Sequence, residues 1–260
     1  MTNQEILQTA MLQSAIDLCC DPADFLRDGN TVTVSRVRPE ARRYLTLPFL
    51  CDLVCYGHGV VASAGEQFVQ PVREYIDSYP PEHLFETPNL HVLNDLFERS
   101  GGRVCFMAEY FLPDVDALRP LECPYATRLM GPEDFRERYR PEWSNALCEK
   151  RKELDVLGVG AFDERGRLVG MAACSADCDS MWQIGIDVLP EARRRGVASA
   201  LTARLALEIL ERGKVPFYCA AWSNIPSVRN AIRAGFRPAW VELTVKSREF
   251  TDEMNRVNTT

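Results

Sequence analysis

Apolar positions recur along this chain first at helical and then at strand spacing. Leu7, Met11, Ala15 and Leu18, with Ala10 and Cys19 beside them, mark one face of an amphipathic helix over residues 4–20. Asp21-Pro22 ends it, because the residue before a proline avoids the helical region. The β-branched run from Thr31 to Val34, after the turn signal Asp28-Gly29-Asn30, predicts a strand, and Gly57 to Ala62 a second short one. Helices are expected near 66–78 and 89–99, stopped by Pro80 and by Gly101-Gly102, and the apolar and aromatic run from Arg103 to Phe111 reads as a buried strand. An irregular, proline-containing stretch from Leu112 to Pro124 follows. Beyond it the order is strand 125–129, helical material 132–150, strands 155–162 and 167–175 joined at Asp163-Glu164-Arg165-Gly166, strand 181–188, helix 196–212, strand 216–221, helix 225–234 and a final strand near 239–246. This is an α/β (α+β) pattern with two expected regions, 1–115 and 125–250, and no internal repeat.

Composition narrows the function classes. The chain has 260 residues and a formal net charge of −7, which argues against nucleic acid or an anionic membrane as partner and favours a cationic substrate such as an amine. No apolar run approaches the roughly 18–20 residues that cross a bilayer. None of the ten cysteines forms a CxxC pair, and with no secretory signal read in the chain they are expected as reduced thiols of a cytoplasmic protein. Cys51, Cys55 and His58 match no strong zinc spacing, so core packing is the reading there and no metal is expected. His58, His83 and His91 are isolated and read as structural.

Chemistry concentrates in one stretch, Gln183 to Ala198. A short apolar strand runs into Leu189-Pro190-Glu191-Ala192-Arg193-Arg194-Arg195-Gly196-Val197-Ala198 and then into a helix whose face is Val197, Leu201, Leu205 and Ile209. Gly213 suits the left-handed cap at its end. A basic, glycine-containing loop feeding a helix N-terminus is an anion site, since the first N–H groups of a helix have no partner within it and its dipole favours negative charge. Gly196 allows close backbone approach to a phosphate.

The segment resembles the acyl-CoA-binding motif of the GCN5-related N-acetyltransferases (GNAT), Arg/Gln-x-x-Gly-x-Gly/Ala. Arg193, Gly196 and Ala198 take its three fixed positions, Val188 and Pro190-Glu191 resemble the run that precedes it, and Arg194 stands where many members have glycine. Asn224-Ile225-Pro226-Ser227 followed by Gly235-Phe236 resembles the later Asn-x-x-Ser/Ala helix closed by Gly-Phe. The resemblance covers about half the chain. The runs from Trp182 to Asp187 and from Gly213 to Trp240 are similar to a bacterial subgroup with an extra N-terminal region. It implies a mixed, mostly antiparallel sheet flanked by helices, with the 1–115 region either a degenerate copy of the same fold or a cap over the acceptor pocket.

The resemblance further implies an acyltransferase that moves an acetyl or short acyl group from acetyl-CoA to a small primary amine by direct attack, without a metal. The oligomeric state, a homodimer included, is left open. Ile186, Asp187, Val188, Arg193, Arg194, Arg195, Gly196, Val197, Ala198, Ser199, Asn224 and Ser227 would bind the cosubstrate, with backbone N–H groups of 186–188 polarising the thioester carbonyl. An ammonium of pKa ~10.4 must lose a proton before it attacks. On the strand, Gln183 and Gly185 cannot serve, so Asp187 is the expected catalytic carboxylate, ahead of Asp177, Asp179 and Glu142; a strand-end or salt-bridge role for it stands beside that reading. The tyrosine many members place seven residues after the motif asparagine is Ala231 here. A thiol leaves as thiolate without full protonation, so activity does not require it. Tyr218, Cys219, Trp143 and Trp182 are read as packing residues first. The competing functions are a non-catalytic acyl-CoA sensor and an interaction protein without cofactor.

Overall fold

The computed structural model describes residues 1–257, and the chain divides into two compact units built from interleaved stretches. Unit 1 holds Met1–Ala10 and Tyr110–Pro238; unit 2 holds Met11–Glu109 and the described residues from Ala239 onward. The helices are α1 (Asn3–Leu18), α2 (Val69–Asp77), α3 (Pro81–Leu84), α4 (Thr87–Glu98), α5 (Pro132–Phe135), α6 (Val197–Glu211), α7 (Ile225–Arg233) and α8 (Arg248–Val257). The strands are β1 (Thr31–Val34), β2 (Cys51–Cys55), β3 (Val60–Ala64), β4 (Gly102–Pro113), β5 (Ala126–Met130), β6 (Asp155–Phe162), β7 (Leu168–Ser175), β8 (Met181–Val188), β9 (Val215–Ala221) and β10 (Phe236–Ser247). The protein is a mixed α/β molecule whose sheets are mostly antiparallel and flanked by helices.

In unit 1 the strand order is β4-β9-β8-β7-β6-β5. β5 through β8 pair antiparallel, and β8 pairs parallel with β9. The parallel pairing is short: it joins Met181, Trp182 and Gln183 to Val215, Pro216 and Phe217. On one face the apolar stripe of α6, Val197, Leu201, Leu205 and Ile209, packs on Val159, Ala161, Cys174 and Ile184, all buried. On the other face Phe135, Trp143, Ala146 and Leu147 cover Met130, Met171 and Ala173.

That second face corrects the helical reading of 132–150. Only the four residues of α5 are α-helical, followed by 3₁₀ turns at Pro141–Trp143 and Glu149–Leu154. Pro141 removes a helical donor, and Arg151 leaves helical geometry at φ −142°, ψ 45°. The apolar spacing there serves a loop that lays four side chains on a sheet, a pattern that periodicity alone reads as a helix.

In unit 2 the order is β1-β3-β2-β10, with β1 parallel to β3 and β2 antiparallel to both its neighbours. Leu53, Ala62 and Leu243 face Val72, Ile76, Leu84, Leu93 and Phe97 of α2 to α4. Cys51 and Cys55 belong to this apolar core. β2 was not expected, since its five residues are all buried and carry no alternation to read.

Candidate active site

Beyond Gln183 and Phe217 the two parallel strands lose their pairing, while β8 stays bonded to β7 as far as Val188. Ile184 to Val188 therefore presents an unpaired edge, on which alternate N–H groups point away from β7. A cleft of about 1090 Å³ opens along this edge.

The basic loop closes one end of the cleft. Arg193 donates from Nε to the carbonyl of Val188 at 2.9 Å, which folds the loop back on the strand that precedes it. Arg194 and Gly196 both have positive φ, 60° and 81°. Gly196 is the N-cap of α6, and no side chain caps that helix. A Cβ at Gly196 would meet nothing within 4 Å, so the backbone there faces open space. A helix N-terminus without a side-chain cap, preceded by two left-handed residues, turns several N–H groups toward one point.

Helix α7 forms the opposite wall. Asn224 caps it, its Oδ1 accepting from the N–H of Ser227 at 3.2 Å. Buried Asn230 ties it to α6, accepting from Ser199 Oγ and donating to Thr202 Oγ1, each at 3.1 Å. The Tyr218 hydroxyl shares a 2.8 Å hydrogen bond with Ser227 Oγ, and burial raises the phenol above its usual range.

The other end of the cleft is polar and partly acidic. Asp187 accepts from the main-chain N–H groups of Asn145 and Ala146 at 2.8 and 2.9 Å, and from Asn145 Nδ2 at 2.7 Å. Gly185 is required beneath this loop, because a Cβ there would lie 1.8 Å from the carbonyl oxygen of Asn145. Asp155, at the start of β6, accepts from the N–H of Cys148 at 2.9 Å and from Ser175 Oγ at 3.1 Å; burial raises its carboxyl. Two carboxylates thus clamp one loop, residues 145–148, to the sheet.

Ile186, Asp187, Val188, Arg193, Arg194, Gly196, Val197, Ala198, Ser199, Asn224 and Ser227 all line this one cleft. Arg195 does not: its guanidinium donates to Tyr125 Oη at 2.7 Å and lies over that ring, and only its backbone belongs to the loop. Asp177 pairs with Arg151, and neither Asp179 nor Glu142 lines the cleft. Trp143 and Trp182 pack in the two cores. Sequence reasoning passed over Tyr218 as a packing residue and did not consider Asp155, Asn145, Arg229 or Arg233, all of which line the cleft. The one local signal was the i,i+4 spacing of Arg229 and Arg233 on a helix that starts at the motif asparagine.

The residues fit a pantetheine carrier of an acyl group on three structural grounds. These are a strand edge with free donors, an uncapped helix start beside it, and the arginines Arg193 and Arg194 of the basic loop in the same lining.

Residues 117–239 match the family model described as GNAT acetyltransferase. Among solved structures, the chain is similar to a GCN5-related N-acetyltransferase-like protein from Streptococcus suis, at 22% identity and TM-score 0.44 over 61% of this chain and 69% of that one. It is similar to a GCN5-related N-acetyltransferase from Sphaerobacter thermophilus, at 18% and 0.45 over 73% and 72%. It is similar also to one from Kribbella flavida, at 18% and 0.43 over 60% of this chain, which spans under two thirds, 63%, of that chain's length. No curated protein sequence matches the chain.

Proposed function

The chain belongs, over residues 117–239, to the GNAT acetyltransferases, and on that premise we propose that it moves an acetyl or other short acyl group from a coenzyme A thioester to a primary amine in the cytoplasm. The observation that carries this reading is the convergence on one cleft of the unpaired β8 edge and the uncapped start of α6. The donor supplies an activated thioester carbonyl. The amine nitrogen bonds to the carbonyl carbon, the C–S bond breaks, and the thiol departs.

The chain's own residues divide the remaining work. The N–H groups of 194–198 hold the diphosphate, and the α6 dipole adds to their field. The N–H groups of 186–188 that face the cleft bind the pantetheine and stabilise charge on the carbonyl oxygen. Gly185 lets the 145–148 loop come down on β8 and exclude water from the acceptor end. Asp187 is the carboxylate of β8 in the cleft and so the nearest proton acceptor, but three N–H groups already occupy its oxygens. Its anchoring of the loop is therefore the role we favour. The Tyr218 hydroxyl, kept protonated by burial, takes the place of the absent tyrosine at Ala231 as the hydroxyl donor in the cleft.

Two observations favour a second reading, a non-catalytic acyl-CoA sensor: Ala231 is fully buried and Asp187 already accepts three hydrogen bonds. Incubation with acetyl-CoA and a panel of amines, with thiol release followed, tests the two. Turnover on at least one amine is expected. Tight coenzyme A binding without turnover on any amine would favour the sensor, and no binding would remove both.

A further inference from the structure

Helix α7 carries two arginines into the cleft, Arg229 and Arg233. Residues four apart on a helix lie side by side, with Cβ atoms ~5–6 Å apart. Both side chains are exposed, and among the described residues neither takes part in an ion pair or hydrogen bond. In a chain of net charge −7, two adjacent guanidiniums with no carboxylate partner among the described residues, on the wall of this cleft, are an uncompensated charge.

The helix that carries them is tied to α6. Asn230, between them in sequence, is bonded to Ser199 and Thr202 of α6. The arginine face of α7 is thereby held beside the first turn of α6, where the basic loop ends. The loop does not need them for a diphosphate. It brings its own main-chain donors and Arg194, while Arg193 is partly committed to Val188 and Arg195 to Tyr125.

We propose that Arg229 and Arg233 form a separate phosphate subsite that takes the 3′-phosphate of coenzyme A. The proposal rests on the acyl-CoA reading above and adds a selectivity to it. A phosphate monoester carries ≈ −1.5 to −2 charges at neutral pH and three acceptor oxygens, which two forked guanidiniums match. A phosphopantetheine arm on a carrier protein has no such group, nor has dephospho-coenzyme A. The chain therefore selects free coenzyme A thioesters over protein-borne ones.

Isothermal titration with coenzyme A and with dephospho-coenzyme A tests this without knowledge of the acceptor. The wild-type chain is expected to bind coenzyme A roughly ten- to a hundredfold more tightly, with the gap narrowing as salt rises. In Arg229→Gln/Arg233→Gln the two ligands bind alike, at the wild-type affinity for dephospho-coenzyme A, with an unchanged unfolding midpoint. Equal affinities in the wild type, or a preference that survives in the double variant, overturn the subsite while leaving the acyl-CoA reading intact. Failure of the wild type to bind either ligand overturns that reading and the subsite with it. The ligand comparison on wild-type protein decides the matter even if the double variant does not fold.

Discussion

The carboxylate of Asp187 and the amide of Asn145 meet across the acceptor end of the cleft, main chain and side chain together, at 2.8 and 2.7 Å. Forty-two residues of chain separate them, and the contact sets how far the 145–148 loop can lift from β8. Asp187→Asn keeps the shape and removes the charge. It is expected to cost about 1–3 kcal/mol of stability and to raise KM for the amine more than it lowers kcat. Steady-state kinetics with denaturation checks this. A roughly hundredfold fall in kcat with loss of the acidic limb of the pH profile would instead make Asp187 the proton acceptor.

Two glycines of the cleft should respond differently to the same change. Gly196→Ala places a methyl group in open space but keeps φ at 81°, so the cost is backbone strain of roughly 1–2 kcal/mol. Gly185→Ala drives a methyl group onto the Asn145 carbonyl and displaces the loop. It should cost more in stability than Gly196→Ala and abolish acceptor turnover, while coenzyme A binding by the loop at 193–198 survives. Urea unfolding and coenzyme A titration of both variants separate the two effects.

Arg194 offers the converse. It holds a left-handed φ of 60° at a position where glycine would be unstrained. Arg194→Gly should leave stability unchanged or raise it by up to about 1 kcal/mol, read from the urea midpoint, because relief of strain offsets the greater freedom of the unfolded chain. A clear loss of stability would show that the side chain contributes packing there.

In unit 2, Asp52 sits fully buried on β2, opposite Ser63 on β3 and Thr244 on β10. Burial, and then the Glu242 carboxylate, push its carboxyl well above the usual range, with Lys246 opposing. A raised folded pKa means that its contribution to stability is complete below the unfolded value of ~3.9 and is lost as pH rises through the folded one. The wild type should therefore lose stability as pH rises above ~3.9 toward the raised folded value, and Asp52→Asn should flatten that loss. Denaturation midpoints across the pH range check the sign; a variant as pH-sensitive as the wild type would contradict it.

The half of the site proposed to hold the diphosphate was legible in the sequence because it is local. Strand, loop, glycine and helix start follow one another within 183–198, so the proposed anion site is built from consecutive backbone groups. The regular elements of 155–247 were legible for the same reason, each carrying its own periodicity and its own breakers. The acceptor half was not. The apolar residues of 132–150 fit a helix by spacing, yet Phe135, Trp143 and Leu147 are laid one by one on a sheet face that distant strands create. β2 was invisible because burial on both faces removes alternation.

Residue chemistry alone thus pointed to the proposed site for a phosphorylated thioester carrier, since that needs only neighbouring peptide groups and a glycine. Tertiary structure decided what faces it: Asp187 beneath Asn145, Asp155 beneath Cys148, Arg229 and Arg233 beside the first turn of α6, Arg195 turned onto Tyr125. Those pairings join residues as few as seven and as many as seventy positions apart. Which of them meet depends on strand register and on where β8 and β9 part, quantities that no stretch of sequence carries by itself.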